Sequence, residues 1–182
     1  MEFMTYDKLD EALWPYAMDI YKQGFAEEGR KPEKLLRSML DRGICYLHVG
    51  VDEYGMVAMA ISGLVAGRKV LLIDYLAVSP QRRREGVGQR FLQKIEQWAR
   101  VIGLEGMLVE VEAEPTRENE QRIRYWEKGG FTRTDYIHQY IWVPEPYLAM
   151  YYWFQPNSKL PRSGEKLFEM ISSFHRQAYN RR

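Results

Sequence analysis

The residues with the clearest chemical use lie between positions 79 and 90. There Ser79-Pro80-Gln81-Arg82-Arg83-Arg84-Glu85-Gly86-Val87-Gly88 is followed by Gln89-Arg90. Arg82, Arg83, Arg84 and Arg90 offer planar guanidinium forks that pair with phosphate oxygens. Gly86 and Gly88 carry no side chain, so a ligand can come close to their backbone. A helix beginning at once after them would add its positive dipole end and the N–H groups that a first turn leaves without internal partners. Such a site binds phosphate or pyrophosphate. An ordinary strand-to-helix loop with a solvated charge cluster is the plain alternative. Two other phosphate loops do not fit. Gln89-Arg90 stands where a Walker loop needs Lys-Ser/Thr. Gly86 to Phe91 lacks the third spaced glycine of the dinucleotide fingerprint.

A second group is Leu108-Val109-Glu110-Val111-Glu112. Side chains alternate along a strand, so Glu110 and Glu112 share a face. Two carboxylates side by side could raise one pKa, accept a proton or hold a cationic ligand. Solvated strand-end carboxylates would look the same. Asp74 also stands out, as the one charge in the apolar run from Val70 to Val78. Cys45, within Ile44-Cys45-Tyr46-Leu47, reads as a buried thiol. As the single cysteine it closes no internal disulfide, which fits a reducing compartment. His48, His138 and His175 lack metal-ligand spacing, so no metal is expected.

These groups need a frame. Residues 3–6 suit a short strand. Trp14, Met18, Tyr21 and Phe25 recur at helical spacing, and Pro32 opens a second helix with Leu35, Leu36, Met39 and Leu40. Residues 44–51 and 56–65 read as an antiparallel pair around the turn Asp52-Glu53-Tyr54-Gly55, with a second turn at 66–69. Val70 to Val78 reads as a strand buried on both faces. An amphipathic helix with Val87, Phe91, Ile95, Trp98, Ala99 and Ile102 follows the basic loop. Then come a strand over 107–112, a helix over 119–128 closed by Gly129-Gly130, and two strands over 131–143 and 148–154, parted by Pro144-Glu145-Pro146. After a linker at 155–164, Ser163 can cap a last helix with Leu167, Met170, Ile171 and Phe174 on one side. That stripe suits packing onto the domain or a contact between two copies of the chain.

Arg83-Arg84-Glu85-Gly86-Val87-Gly88 resembles the Gln/Arg-X-X-Gly-X-Gly/Ala acetyl-CoA signature of GNAT superfamily N-acetyltransferases. Tyr75-Leu76-Ala77-Val78-Ser79-Pro80 is similar to the strand end before that loop. The segment from Asn119 to Phe131 resembles a later family helix that starts near an Asn and ends in Gly-Phe. The element order agrees over residues 1–154.

The resemblance implies an α/β (α+β) GNAT fold: a mixed, mostly antiparallel twisted sheet of about seven strands, flanked by four helices, plus a C-terminal helix. Residues 1–156 would form the acetyltransferase domain, and 157–182 a linker and amphipathic helix. In the family the strands equivalent to Val70–Val78 and 107–112 splay apart around the pantetheine arm. It follows that Leu76, Ala77 and Val78 would hold that arm by main chain. Arg83, Arg84, Glu85, Gly86, Val87 and Gly88 would bind the pyrophosphate, and Asn119 would touch acetyl-CoA. An N–H near Val78 would stabilise the oxyanion. Glu110 matches a family position that acts as base, with Glu112 close behind. The family's usual Tyr, the proton donor to the leaving thiolate, falls on Trp126. Tyr125 is adjacent, but one helical residue turns a side chain by about 100°; either the register is shifted and Tyr125 is the proton donor, or another Tyr serves, or solvent protonates the thiolate.

The implied reaction moves acetyl from acetyl-CoA to a primary amine of a small molecule or protein, by direct attack through a tetrahedral intermediate. The family forms its acceptor pocket from the first two helices and last two strands, which here carry aromatics such as Tyr140 and Trp142 beside Glu27 and Glu28. Those aromatics serve equally as packing, and a cationic amine would suit the mixture. A catalytically weak CoA-binding sensor is the rival reading, motivated by Trp126. A net charge of +1 and the lack of aromatics among Arg82 to Arg84 argue against nucleic acid. No apolar stretch is long enough to span a bilayer. The start MEFMTYDKLDE is unlike a signal peptide, so the cytoplasm is expected. A homodimer is a further possible partner.

Overall fold

Apolar residues alternate or run on through most of the chain's strand segments, and each finds a hydrogen-bonded neighbour in the computed structural model. It describes residues 1–65, 67 and 69–180. In chain order the elements are β1 (Glu2–Tyr6), α1 (Trp14–Gly24), α2 (Glu33–Asp41), β2 (Cys45–Asp52), β3 (Gly55–Val65), β4 (Val70–Val78), α3 (Val87–Val101), β5 (Gly106–Glu112), α4 (Arg117–Lys128), β6 (Thr132–Arg133), β7 (His138–Gln139), β8 (Pro146–Trp153) and α5 (Gly164–Tyr179). The expected mixed, mostly antiparallel α/β architecture is present, with eight strands among the described residues where about seven were expected. Of the turn expected at 66–69, residues 66 and 68 lie outside the described residues.

The chain forms two compact units, the first comprising residues 1–63, 73–95 and 177–182, the second 64–72 and 96–176. In the first, β1 pairs antiparallel with β2 from Glu2↔Val51 to Tyr6↔Leu47. β2 pairs antiparallel with β3 from Cys45↔Gly63 to Asp52↔Gly55, with an irregularity at Gly50/Val51. β4 lies beside β3. The helices bury the faces that their spacing predicts: Trp14, Met18 and Tyr21 of α1, Leu36, Met39 and Leu40 of α2, and Val87, Phe91 and Ile95 of α3. Gly24 closes α1 against Ala77, where an added Cβ would sit 2.7 Å from the Ala77 Cβ. Only glycine permits that approach.

Asp74 and Lys31 form a buried ion pair in this unit. Lys31 Nζ donates to both carboxylate oxygens at 2.8 Å, and the two side chains are 5% and 4% exposed. Tyr75 accepts from the Lys31 N–H at 3.0 Å and donates to the Gly29 carbonyl at 3.1 Å. The charge that interrupts the apolar run of β4 is therefore a structural tie. His48 is wholly buried, with Thr5 Oγ1 at 2.8 Å from Nδ1 and Ser62 Oγ at 2.7 Å from Nε2. Burial lowers its pKa to about 3, so it is neutral. Cys45 is buried too, and burial pushes its thiol up to about 12. It is an inert core residue.

In the second unit β5 pairs in parallel with β4 over Val70↔Gly106 to Leu72↔Leu108, and antiparallel with β8 from Gly106↔Trp153 to Glu112↔Tyr147. Gly106 lies under the Trp153 ring, which an added Cβ would strike. The strand expected over 131–143 is instead two short pieces, β6 and β7, each paired with β8. Tertiary contacts mark the break. The Thr134 amide and hydroxyl both turn to the Ala149 carbonyl, and Gly164 crowds Tyr136. α4 starts two residues before Asn119, with Thr116 Oγ1 capping the Asn119 N–H at 3.1 Å. Leu167, Phe168, Ile171 and Phe174 of α5 are all buried within the chain. A dimer contact would have to use another surface. Among the described residues no helix is long and apolar enough to cross a membrane.

Candidate functional site

The phosphate-loop residues lie in the first unit. β4 ends at Val78, a single 3-10 turn covers Pro80–Arg82, and α3 begins at Val87. Between them Arg83 is extended, while Arg84 and Gly86 have φ of 65° and 75°. Arg84 is the one non-glycine residue with positive φ among the described residues. That conformation costs an L-residue about 1–2 kcal/mol, so the surrounding bonds must impose it. They can be named. Arg82 pairs with Asp52 at 2.7 Å and Glu85 at 2.8 Å. Arg83 Nε donates to the Val78 carbonyl at 3.2 Å, and Arg90 Nη1 donates to the Glu85 carbonyl at 2.9 Å.

Three of the four guanidinium groups expected to meet phosphate, those of Arg82, Arg83 and Arg90, thus shape the loop itself. Arg83, Arg84, Glu85 and Gly86 are exposed, whereas Val87 sends its side chain into the core. The exposed turn combines cationic side chains, a backbone bare at Gly86 and the positive end of a 15-residue helix. The residues present fit a polyphosphate group. In β4, Leu76 and Val78 are half-buried and share a face with Asp74, and Ala77 is packed against Gly24.

The second unit holds a cluster of titratable groups around Glu110. Glu110 and Glu112 do share a half-buried face of β5. Their surroundings differ. Glu110 Oε2 accepts from Tyr140 Oη at 2.7 Å, and its Oε1 lies 2.6 Å from His175 Nε2. The Glu110 and His175 side chains are 18% and 17% exposed, so the pair is shielded without being sealed. His138 stacks on Phe168 at 4.3 Å and meets Tyr140 edge-on at 4.5 Å. Burial lowers the His138 pKa against an opposing pull from Glu110. Tyr147, opposite Glu112 in register, is pushed up to about 12, first by burial and then by the charges of Glu112 and Glu110. Glu112 instead faces Arg122 at 3.4 Å.

Asn119 is buried and its side chain is committed: Nδ2 donates to the Glu114 carbonyl at 3.1 Å, and Oδ1 accepts from Arg122 at 2.9 Å. Tyr125 sits edge-on to Trp126 at 5.2 Å, and burial raises its pKa. Trp126 is core, packed on Phe131 at 5.1 Å. Sequence reasoning assigned His175 and His138 no role. His175 follows Ile171 by four residues, on the edge of the apolar stripe of α5, and that placement was the available signal. Among the described residues no group of three or more His, Cys, Asp or Glu is arranged to hold a metal ion.

The family model for the acetyltransferase (GNAT) family matches residues 7–131. The chain belongs to the GNAT acetyltransferase family. Solved structures share its fold. A protein from Bacteroides thetaiotaomicron, assigned to the GNAT family of acetyltransferases, matches with a TM-score of 0.73 at 18% identity, covering 100% of both chains. The ribosomal-protein-S18-alanine N-acetyltransferase of Escherichia coli matches at 0.65 and 19% identity, over 88% of this chain and 99% of that one. An aminoglycoside 6'-N-acetyltransferase complexed with coenzyme A matches at 0.69 and 15%, over 87% and 100%. No curated protein matches the chain. As a GNAT acetyltransferase the chain uses acetyl-CoA as acyl donor, in accord with the phosphate chemistry of the 83–88 loop.

Proposed function

We propose that this GNAT protein is an N-acetyltransferase in which Glu110 accepts a proton from a primary amine as that amine attacks the thioester of acetyl-CoA directly. The observation that carries the reading is the fixed, partly shielded carboxylate of Glu110. Tyr140 and His175 each hold one of its oxygens. A base held in one orientation supports proton transfer of the kind worth about 10²–10⁴ in rate.

The other roles follow the chemistry of each residue. The backbone around Arg83, Arg84, Glu85, Gly86, Val87 and Gly88 binds the pyrophosphate, and the main chain of Leu76, Ala77 and Val78 binds the pantetheine arm. Glu112, paired with Arg122, contributes negative charge for a cationic acceptor more readily than it serves as base. Tyr125 remains a candidate donor to the thiolate. Its raised pKa keeps it protonated and makes it a reluctant acid. Asn119 is held by Glu114 and Arg122, so its part is to fix the start of α4.

The test is thiol release from acetyl-CoA against a panel of primary amines, with wild type and Glu110→Gln side by side. Turnover on an amine that drops about 100-fold or more in the variant supports the reading. Tight acetyl-CoA binding with no turnover on any amine supports a CoA-binding sensor instead.

A further inference from the structure

We propose that Asp52, in the turn between β2 and β3, is a positioning residue for acetyl-CoA: through Arg82 it holds the left-handed backbone at Arg84 that shapes the 83–88 loop for its ligand. The proposal rests on the acetyl-CoA binding assigned to that loop above. It adds a turn remote in sequence to the parts that build the site.

The loop meets a conformational cost at Arg84. Its φ is 65°, a region that crowds the Cβ of an L-residue and that glycine enters freely. The residues on either side of it are tied down. Before it, Arg83 donates from Nε to the Val78 carbonyl at 3.2 Å and from Nη2 to the Gln23 carbonyl at 3.4 Å. After it, Glu85 is held twice. Its carboxylate accepts from Arg82 Nε at 2.8 Å, and its carbonyl accepts from Arg90 Nη1 at 2.9 Å.

Arg82 is in turn fixed by the β2–β3 turn. Its Nη1 lies 2.7 Å from Asp52 Oδ2, and its guanidinium stands 5.6 Å from the centre of the Tyr54 ring. Asp52 Oδ1 accepts from the Tyr54 N–H at 2.9 Å. Each oxygen of that carboxylate therefore has its own task, and the side chain cannot turn without losing one of them. The Asp52 and Arg82 side chains are 15% and 25% exposed, so their attraction is less screened than that of an open surface pair. One guanidinium thus joins two carboxylates, Asp52 and Glu85, and the second belongs to the neighbour of Arg84.

A loop already in shape when the ligand arrives loses no affinity to being shaped. With the latch cut, Arg84 can relax from the left-handed region, and binding must restore it. The corresponding loss of affinity is about 5- to 30-fold. Simple electrostatics predicts the opposite sign. Asp52 and a pyrophosphate are both negative, so removal of the Asp52 charge would by itself tighten binding. The direction of the change therefore separates positioning from a charge effect.

Calorimetric titration with acetyl-CoA, on wild type, Asp52→Asn, Arg84→Gly and the double variant Asp52→Asn/Arg84→Gly, tests the latch. Asp52→Asn keeps an oxygen for the Tyr54 N–H and sets an amide where Arg82 had a charge. It should bind acetyl-CoA about 5-fold or more weaker than wild type. In the Arg84→Gly background the same change should cost about 2-fold or less, because glycine needs no latch at that φ. Arg82→Met cuts the latch from its other side and should show the same loss and the same rescue. Asp52→Asn that binds as tightly as wild type, or tighter, overturns the proposal. So does an equal loss in the Arg84 and Arg84→Gly backgrounds, which would place the action of Asp52 elsewhere. Should Asp52→Asn fail to fold in a thermal scan, the Arg82→Met pair decides by the same criteria. A wild type that binds no acetyl-CoA overturns the acetyltransferase reading itself, and the latch with it; a latch failure alone leaves wild-type binding intact.

Discussion

Replacing Asp74 by alanine would strip Lys31 of a carboxylate that holds its ammonium by two 2.8 Å bonds, in a place where the two side chains are 5% and 4% exposed. Breaking a buried pair in this way costs about 3–5 kcal/mol, because the desolvated charge outlives its partner. Lys31 cannot easily swing outward. Its N–H is bound by Tyr75 and its carbonyl by Tyr21. The expected loss is therefore near about 4 kcal/mol, out of a total of roughly 5–15 for a domain. For a chain of this size that lowers Tm by about 8–15 °C. Urea melts and thermal scans of wild type, Asp74→Ala, and the double variant Lys31→Met/Asp74→Leu give the assay. The double variant should recover most of the loss, because two apolar groups replace two charges. Asp74→Ala within about 1 kcal/mol of wild type, or a double variant no better than the single one, would mean that the pair does not hold this part of the fold. The same variant, assayed well below its melting temperature, should also retain turnover, since Asp74 is committed to Lys31.

Gly86→Ala forces an L-residue to φ of 75° and sets its Cβ 3.2 Å from Arg90 Nη1; about 1 kcal/mol of stability should go, and calorimetry should show weaker acetyl-CoA binding than wild type. Glu110→Gln should cut kcat by about 10²–10⁴ with little change in KM, measured by thiol release. His48 gives a pH dependence. Its folded pKa of about 3 lies below the unfolded value near 6.5, so the unfolded chain binds the extra proton as pH falls. The stabilisation is complete above about pH 6.5 and is lost on descent toward about pH 3, with a drop of about 2 kcal/mol at pH 5. Urea melts at pH 7 and pH 5 should show that drop, and His48→Gln should reduce it.

What could be read from the sequence was what depends on neighbours along the chain. The 83–88 loop is contiguous, so its glycines, charges and following helix were visible together, and the turn lies where they predicted it. Glu110 and Glu112 were placed on one face by strand alternation alone. Local pattern failed where tertiary contacts decide. Residues 131–143 look like one strand, yet Thr134 and Tyr136 answer to β8 and the start of α5, leaving Ile137, Ile141 and Trp142 exposed. Asp74 looked available because its partner stands 43 positions earlier, beyond any local window. The partner of His175 was hidden for the same reason: its place beside the apolar stripe turns it toward the domain, but nothing in the last helix announces a carboxylate on β5. Arg82 and Arg90 looked like phosphate ligands, but carboxylates and carbonyls of the loop's own surroundings take them up.

Whether this chain is an acetyl-CoA-dependent N-acetyltransferase is decided by calorimetric titration with acetyl-CoA, followed by thiol release in the presence of primary amines. Wild type should bind saturably, Gly86→Trp should lose that binding with the fold preserved, and some amine should accelerate thiol release. Wild-type protein that binds no acetyl-CoA, or Gly86→Trp that binds it as tightly as wild type, would contradict it.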